Sequence, residues 1–334
     1  MASTETAGRL TRTQRPGWVA SPWLTFAARR LGRLAVAIGT LLTLTFLMLH
    51  LVPGDPVRSS LPPGASADLI RAKRHELGLD KSLPAQFVDY AGDVLHGRFG
   101  TSVSTGEPVG SIVANRLPPT VQIATLAFLT ILVIALPTGI AVAVLTRGGR
   151  RRSLDTLFTL WTGFVGAIPQ FLSAVGLVFV FSVTLKWLPV AGRTGVPSYI
   201  LPIVALSAGL AGHLARIVRI ETLVVLEKDY LRTARSKRLP VLRTYGRHAL
   251  PNILTSVLTI SGMMLPGLIG GTVLVESVFA WPGLGTTLVQ AILAQDYKVI
   301  QAIVLLLGTV VLVTNLVVDV ALALIDPQSS IRST

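Results

Sequence analysis

The sequence predicts an all-α membrane protein with six transmembrane helices and a sizeable extracytoplasmic segment between the first and second. Three observations carry this reading. Of the 334 residues, 51% are hydrophobic and only 14% charged, against about a quarter charged in ordinary soluble domains. Several apolar runs reach the roughly 20 residues that an α-helix needs to cross a bilayer. The runs are continuous rather than alternating, and in lipid only helices or closed barrels pair every backbone polar group.

The runs place spans at 34–52, 120–145, 161–185, 199–216, 253–275 and 300–325. The chain then divides into an N-terminal segment (1–33), a first helix (34–52), an outer segment (53–119), a five-helix core (120–325) and a tail (326–334). Arg29, Arg30 and Arg33 precede the first run as in a signal peptide. That run is span-length, though, and ends in HLVPGDP without a small-residue cleavage site, so it reads as a retained span. In the outer segment, 66–77 and 84–97 look like short amphipathic helices, the second opening at Pro84 after Ser82. The third run begins near Leu154, is longer than a span needs and contains Pro169. It reads as one tilted or kinked helix with a cytoplasmic foot; a break at Pro169 into two segments is the alternative. After the fifth span, Pro282, Gly283 and Gly285 break the chain, and 286–295 can form a short helix. That stretch is either a surface loop packed on the bundle or a gate cover and docking surface for an outer partner.

Orientation follows from Lys and Arg in the links. Arg9, Arg12, Arg15, Arg29, Arg30 and Arg33 lie in the N-terminal segment, and Arg147, Arg150, Arg151 and Arg152 in the second link. The stretch 216–252 is basic throughout. The alternate links 186–198 and 276–299 hold only Lys186, Arg193 and Lys298. Both termini and the 216–252 stretch are therefore expected in the cytoplasm. Topology accounts for most of the net charge of +14, so nucleic acid is not an expected partner; the bilayer is.

Absent chemistry narrows the function. No GxxxxGK[ST], HExxH or GxSxG occurs, and the five His residues have no ligand spacing. No catalytic, metal or cofactor site is expected in this chain. Candidate polar residues inside spans are Gln170, His213, Asn315 and Asp319. They line a pathway or, more simply, bond helix to helix. A proton-driven carrier would need more buried carboxylates than one Asp, which disfavours secondary transport. A membrane anchor without transport is a further alternative.

The stretch DYLRTARSKRLPVLRTYGRHALPN (229–252) reads as two short helices broken at Leu239-Pro240, with small Ala234 and Ser236 before the break. A link that only met lipid headgroups would need its charge but not this order. A knob fitting a groove on a cytoplasmic protein would need both. The stretch resembles the EAA-loop coupling helix of the dipeptide/oligopeptide/nickel permease family of ABC importers, whose usual form is DYxRTARAKGL…RHALxN. LVPGDPV (51–57), ELGLDKSLPAQFVDY (76–90), GRFGTSVSTGEPV (97–109) and RLPPT (116–120) are similar to that family's N-terminal and outer parts. VESVFAWPGLG (275–285), QDYKVIQAIVLL (295–306) and NLVVDVALALIDP (315–327) are similar to its C-terminal part.

The resemblance implies a type I ABC importer permease fold in a bacterial inner membrane. It implies a second homologous permease, two nucleotide-binding domains carrying ATP and Mg, and an extracytoplasmic substrate-binding protein. By position, Asp229, Tyr230, Ala234, Arg235, Lys237, Arg238, Leu239, Arg247 and His248 would face the ATPase. The outer parts 53–118 and 276–297, with Glu276, Trp281, Gly283 and Gly285, would meet the binding protein. The implied cargo is di- or oligopeptides, with nickel chelates, glutathione and haem as alternatives. Arg238 departs from the family, which usually has Gly there; a left-handed turn at that point costs a non-Gly residue on the order of 1–2 kcal/mol. Either the turn is built differently there, or Arg238 accepts the strain and gains a contact to an acidic ATPase groove; the contact is the expectation taken.

Overall fold

The computed structural model describes residues 22–51, 64–76, 80–229 and 249–325. Ten α-helices follow in order: α1 (Pro22–Leu51), α2 (Ala67–Glu76), α3 (Leu83–Leu95), α4 (Val109–Thr146), α5 (Arg152–Ala167), α6 (Gln170–Leu177), α7 (Pro197–Glu227), α8 (Leu250–Val278), α9 (Leu284–Leu293) and α10 (Tyr297–Ile325). A π-helical stretch, Val178–Thr184, continues α6. No strand occurs among the described residues; one isolated bridge joins Thr101 and Pro108.

Helices α1, α4, α7, α8 and α10 are each long and apolar enough to cross a membrane. The third predicted span is broken: Arg152–Ala167 and Gln170–Thr184 meet at 92°. This corrects the expectation of one kinked helix. Ile168 is extended, with φ −78° and ψ 121°. Proline has no N–H to continue the α-helical ladder and pushes the residue before it out of the helical region. The pair still counts as a crossing rather than a re-entrant loop. At the start of α5, Asp155 pairs with Arg219 near the end of α7. Beyond the π stretch, Gly192 N–H donates to Phe279 O at the opposite end of the bundle, 2.8 Å away. The end that holds residues 64–108 is called upper below, and the other lower.

Two helices overrun their predicted limits. Helix α4 starts at Val109 rather than near 120 and carries Pro118 and Pro119 inside it; proline's fixed φ is compatible with a helix even where its missing donor is not. Helix α7 runs to Glu227, so Arg216 and Arg219 lie on a helix and not in a link. Helices α2 and α3 fall where the amphipathic patterns predict them. Ser82 caps α3 through its backbone carbonyl, which accepts from Gln86 N–H at 3.0 Å.

Helix α7 is the hub, packing against α4, α5, α6 and α8. The main core brings together Ile123, Ile131, Leu206, Leu214, Val218, Ile253 and Leu268 from α4, α7 and α8. A smaller core joins Val109, Leu284, Ile300 and Ile303 under the upper end. Apolar burial does not drive helices together inside lipid, so close packing must. A close crossing is at Gly139 on α4. A Cβ there would lie 2.6 Å from Ala215 O and 2.7 Å from Val218 Cβ on α7.

That crossing is testable. Gly139→Ala forces α4 and α7 apart and is expected to destabilise by about 1–3 kcal/mol, seen as a lower melting temperature of the detergent-purified protein. Gly163→Ala is the control, since nothing lies within 4 Å of a Cβ there. Equal melting of the two variants would contradict the packing.

Candidate functional site

The upper end is built by two helix termini of the same kind. Helix α8 ends with Ala280 at φ 45° and α9 with Gln295 at φ 55°. In each, the next residue's N–H reaches back to the third-last helical carbonyl. Trp281 N donates to Glu276 O at 2.8 Å, and Asp296 N to Ala291 O at 2.9 Å. This is the Schellman arrangement with a non-glycine residue in the left-handed position. The first terminus delivers Trp281 and the second Asp296.

Asp296 is fully buried. Its Oδ2 accepts from Ser102 Oγ at 2.5 Å, Ser104 Oγ at 2.9 Å and Ser104 N at 3.2 Å. Its carbonyl accepts from Ile300 N at 3.0 Å, opening α10, and Oδ1 faces Val299 N at 3.4 Å. One carboxylate thus caps the last helix and clasps the distant 101–108 loop. Beside it the Lys298 side chain lies over Gly100, where a Cβ would come within 2.9 Å of Nζ.

Trp281 is fully buried and donates Nε1–H to Pro119 O at 3.2 Å. The Tyr199 ring meets it edge-on, centroids 4.7 Å apart. Arg193 donates to Tyr199 Oη at 2.7 Å and to Gln122 Oε1 at 3.0 Å. The link after the π stretch, α7, α4 and the 279–285 turn are thereby tied together. Glu276 is fully buried as well, and its Oε2 accepts from Gly285 N at 2.7 Å. Gly283 and Gly285 make room for it: a Cβ on the former would overlap the Glu276 carboxylate, and one on the latter would sit 2.5 Å from Val273 Cα.

The four residues expected to meet an outer partner are therefore interior. Glu276, Trp281, Gly283 and Gly285 are all buried in this chain and offer no surface. They form the scaffold. Beside them a cavity of about 610 Å³ lies between the 102–107 loop, the first turns of α4, and α9.

The intramembrane polar residues separate in role. Gln170 opens α6 just past the break. Its Nε2 donates to Leu206 O at 3.4 Å, and its Oε1 lies against Gly271 of α8, leaving no room there for a side chain. His213 Nδ1 accepts from Arg216 at 2.9 Å, and its ring lies beside Gly166 of α5. Asp319 pairs with Arg30, joining α10 to α1 at the lower end. Asn315 is exposed and has no described partner. Two of the four, Gln170 and Asp319, thus bond helix to helix, and His213 bonds within α7 and packs against α5. The sequence reading missed Asp296, Arg193, Gln122 and Tyr199. Asp296 alone had a local signal, an Asp one residue before an apolar run.

At the lower end, Arg147 Nη2 donates to Leu226 O at 3.1 Å, closing the terminus of α7. Asp229 is exposed and ends the described part there. Tyr230, Ala234, Arg235, Lys237, Arg238, Leu239, Arg247 and His248 lie outside the described residues. The chain is described again from Ala249, which is buried.

Four long crossings and a broken fifth thus pack with the central helix α7 into one bundle. The fold is similar to that of the MetNI methionine ABC transporter in inward-facing conformations, with TM-score 0.54 and 19% identity over 64% of this chain and 96% of that one. The chain belongs to the family of binding-protein-dependent transport system inner membrane components, matching it over 135–330 and its N-terminal part over 23–124. A relative from Brucella abortus (strain 2308), named as a peptide transport system permease protein, is 39% identical over 89% of this chain and 97% of its own. The glutathione transport system permease protein GsiC of Salmonella choleraesuis (strain SC-B67) is 38% identical over 91% and 98%.

The clasp gives a prediction. Asp296→Ala removes the acceptor of Ser102 and Ser104 and the cap of α10. It is expected to cost about 3 kcal/mol or more and to expose the 98–108 loop to protease. Asp296→Asn keeps one acceptor oxygen and should fall between. Wild-type melting and protease resistance in Asp296→Ala would refute the clasp.

Proposed function

We propose that this chain is the permease subunit of an ATP-driven, binding-protein-dependent importer of di- or oligopeptides, forming half of the translocation pathway. The family match along nearly the whole chain carries the reading. Peptide cargo is favoured by the name of the Brucella abortus relative; glutathione, named in the Salmonella relative, is the second reading. The protein sits in the bacterial inner membrane with the upper end outward and both termini in the cytoplasm. A second homologous permease, two nucleotide-binding domains and an extracytoplasmic binding protein complete the assembly.

This chain breaks and makes no covalent bond. ATP and Mg belong to the partner ATPases, and the 229–252 segment receives their motion. It leaves α7 at Glu227 and returns at Leu250, where two long helices are packed together. Displacing it would move both, and the helices would alternate between two packings.

The test is purification of the tagged chain from its native membrane, with identification of co-purifying chains and of the cargo held by the binding protein. ATP-hydrolysing partners are expected; uptake in their absence would defeat the reading. Ala234→Glu and Arg235→Glu are expected to insert normally, yet to cut uptake at least about tenfold while ATP is still hydrolysed. Normal uptake by both would refute the coupling role. Arg238→Gly should weaken assembly with the ATPase; unchanged or improved coupling would show that Arg238 makes no such contact.

A further inference from the structure

Helix α3 turns three different faces to its surroundings. At about 100° per residue, Phe87, Tyr90 and Val94 share one face, Asp89 and Asp93 a second, and Pro84, Val88, Ala91 and Leu95 a third. The first packs on α1: the Phe87 ring meets Phe46 edge-on with centroids 5.4 Å apart, and Tyr90 Oη lies 3.1 Å from Thr45 Oγ1. The second is polar and balanced, Asp89 pairing with Lys81 at 2.7 Å and Asp93 with Arg98 at 3.1 Å. The third is apolar and open, with Val88 67% and Leu95 80% exposed among the described residues. We infer that α3 lies in the upper surface of the bilayer, its Val88–Leu95 stripe inserted at the boundary between headgroups and acyl chains.

Depth commits the stripe to lipid. An exposed apolar side chain on a crossing helix faces acyl chains and needs no other explanation. Helix α3 has 13 residues, a length of about 20 Å, and is too short to cross. Its height is set by α1, whose membrane-spanning stretch is Leu24–Met48. The contacts with α3 fall on Thr45 and Phe46, about 3–5 Å below Met48 at 1.5 Å per residue. That is the level at which hydrocarbon gives way to headgroups. Leu44 and Leu47, on either side of the two contact residues, are exposed, so lipid already reaches α1 at this height.

Charge sets the mode of attachment. A surface helix held by anionic headgroups carries Lys and Arg on its polar face. Here two cations and two carboxylates cancel in pairs, and the stripe carries neither charge nor amide. Attachment then comes from apolar insertion and does not depend on headgroup charge. Tyr90, an amphipathic ring at the boundary, suits that level as an interfacial anchor. A protein docked along the stripe would find no polar side chain in it to fix its register. The insertion has a consequence for the upper end. From α3 the chain runs through Arg98 into the 101–108 loop that Asp296 clasps. Helix α3 therefore sets the height at which that end sits above the bilayer.

The experiment uses the full chain in vesicles, alone and in the assembled transporter. The chain has no cysteine, so single spin labels can be carried by Val88→Cys, Leu95→Cys, Asp89→Cys and, on α1, Leu44→Cys. Collision with oxygen, which concentrates in lipid, is compared with collision with a water-soluble nickel chelate. In vesicles of phosphatidylcholine and phosphatidylglycerol, labels at 88 and 95 are expected to match the label at 44, open to oxygen and shielded from nickel. The label at 89 should show the reverse. Pure phosphatidylcholine should give the same pattern; loss of shielding there would overturn apolar insertion. Val88→Asp should return the label at 95 to nickel and leave the label at 44 unchanged. Nickel access at both 88 and 95 would overturn the proposal. So would shielding of both from both reagents, since protein would then cover the stripe: a second permease if the assembled transporter shows it, the binding protein if it follows addition of that protein. The inference asks of the importer reading only that α1 crosses the bilayer. A nickel-accessible label at 44 would remove that crossing, and the proposal with it.

Discussion

The close approach of α4 and α7 at Gly139 sets the frame on which the other helices hang. In lipid, helices gain nothing from hiding apolar surface from one another, so the bundle holds where backbones can touch. With no side chain at 139, α4 reaches the Ala215 carbonyl of α7. Once that pair is fixed, both of its ends are tied. Arg147 closes the lower end of α7 through Leu226 O, and Gln122 meets the Arg193–Tyr199 pair at the upper. Helices α5, α6 and α8 then pack on α7 from its other sides.

A second constraint is local and acts on a single peptide. Pro169 removes an N–H and drives Ile168 into an extended conformation. The third crossing turns through 92° there. Polar backbone exposed at such a break is tolerated in a membrane only where protein covers it. Gln170 bridges to Leu206 O on α7 and fills the space left by Gly271 on α8. A polar side chain inside the membrane, which alone suggests a pathway, here ties the broken crossing to α7.

Much of this was legible in the sequence, for reasons that can be separated. Length and continuity of the apolar runs placed every crossing, because bilayer thickness fixes what a span must be. Charge in the links predicted which ends belong together. The ends of α4 and α7 were not legible, since prolines at 118–119 and arginines at 216 and 219 look like link residues and a helix can hold both. Trp281, Gly283 and Gly285 were misjudged for a related reason. A Pro- and Gly-rich stretch reads as surface, whereas here the glycines admit a buried carboxylate and the indole fills the core. Arg30 with Asp319, and Asp296 with the 102–104 loop, join residues far apart in the chain. No periodicity announces such a pair; only the packed helices bring it together.

The placement of the buried carboxylates bears on how the molecule can move. Burying an ionisable group is unfavourable unless hydrogen bonds offset the loss of water. Glu276 and Asp296 both sit at the upper end, and their hydrogen bonds bind α8, α9, α10 and the 101–108 loop to one another. Pulling any one of these elements away would take hydrogen bonds from a buried carboxylate. The cost makes the elements respond as one body. The freedom needed for alternating access must then lie where the fold has fewer such ties. The extended Ile168-Pro169 joint fits that requirement. A load on the upper end would meet a rigid plate, and the third crossing would bend at Ile168-Pro169.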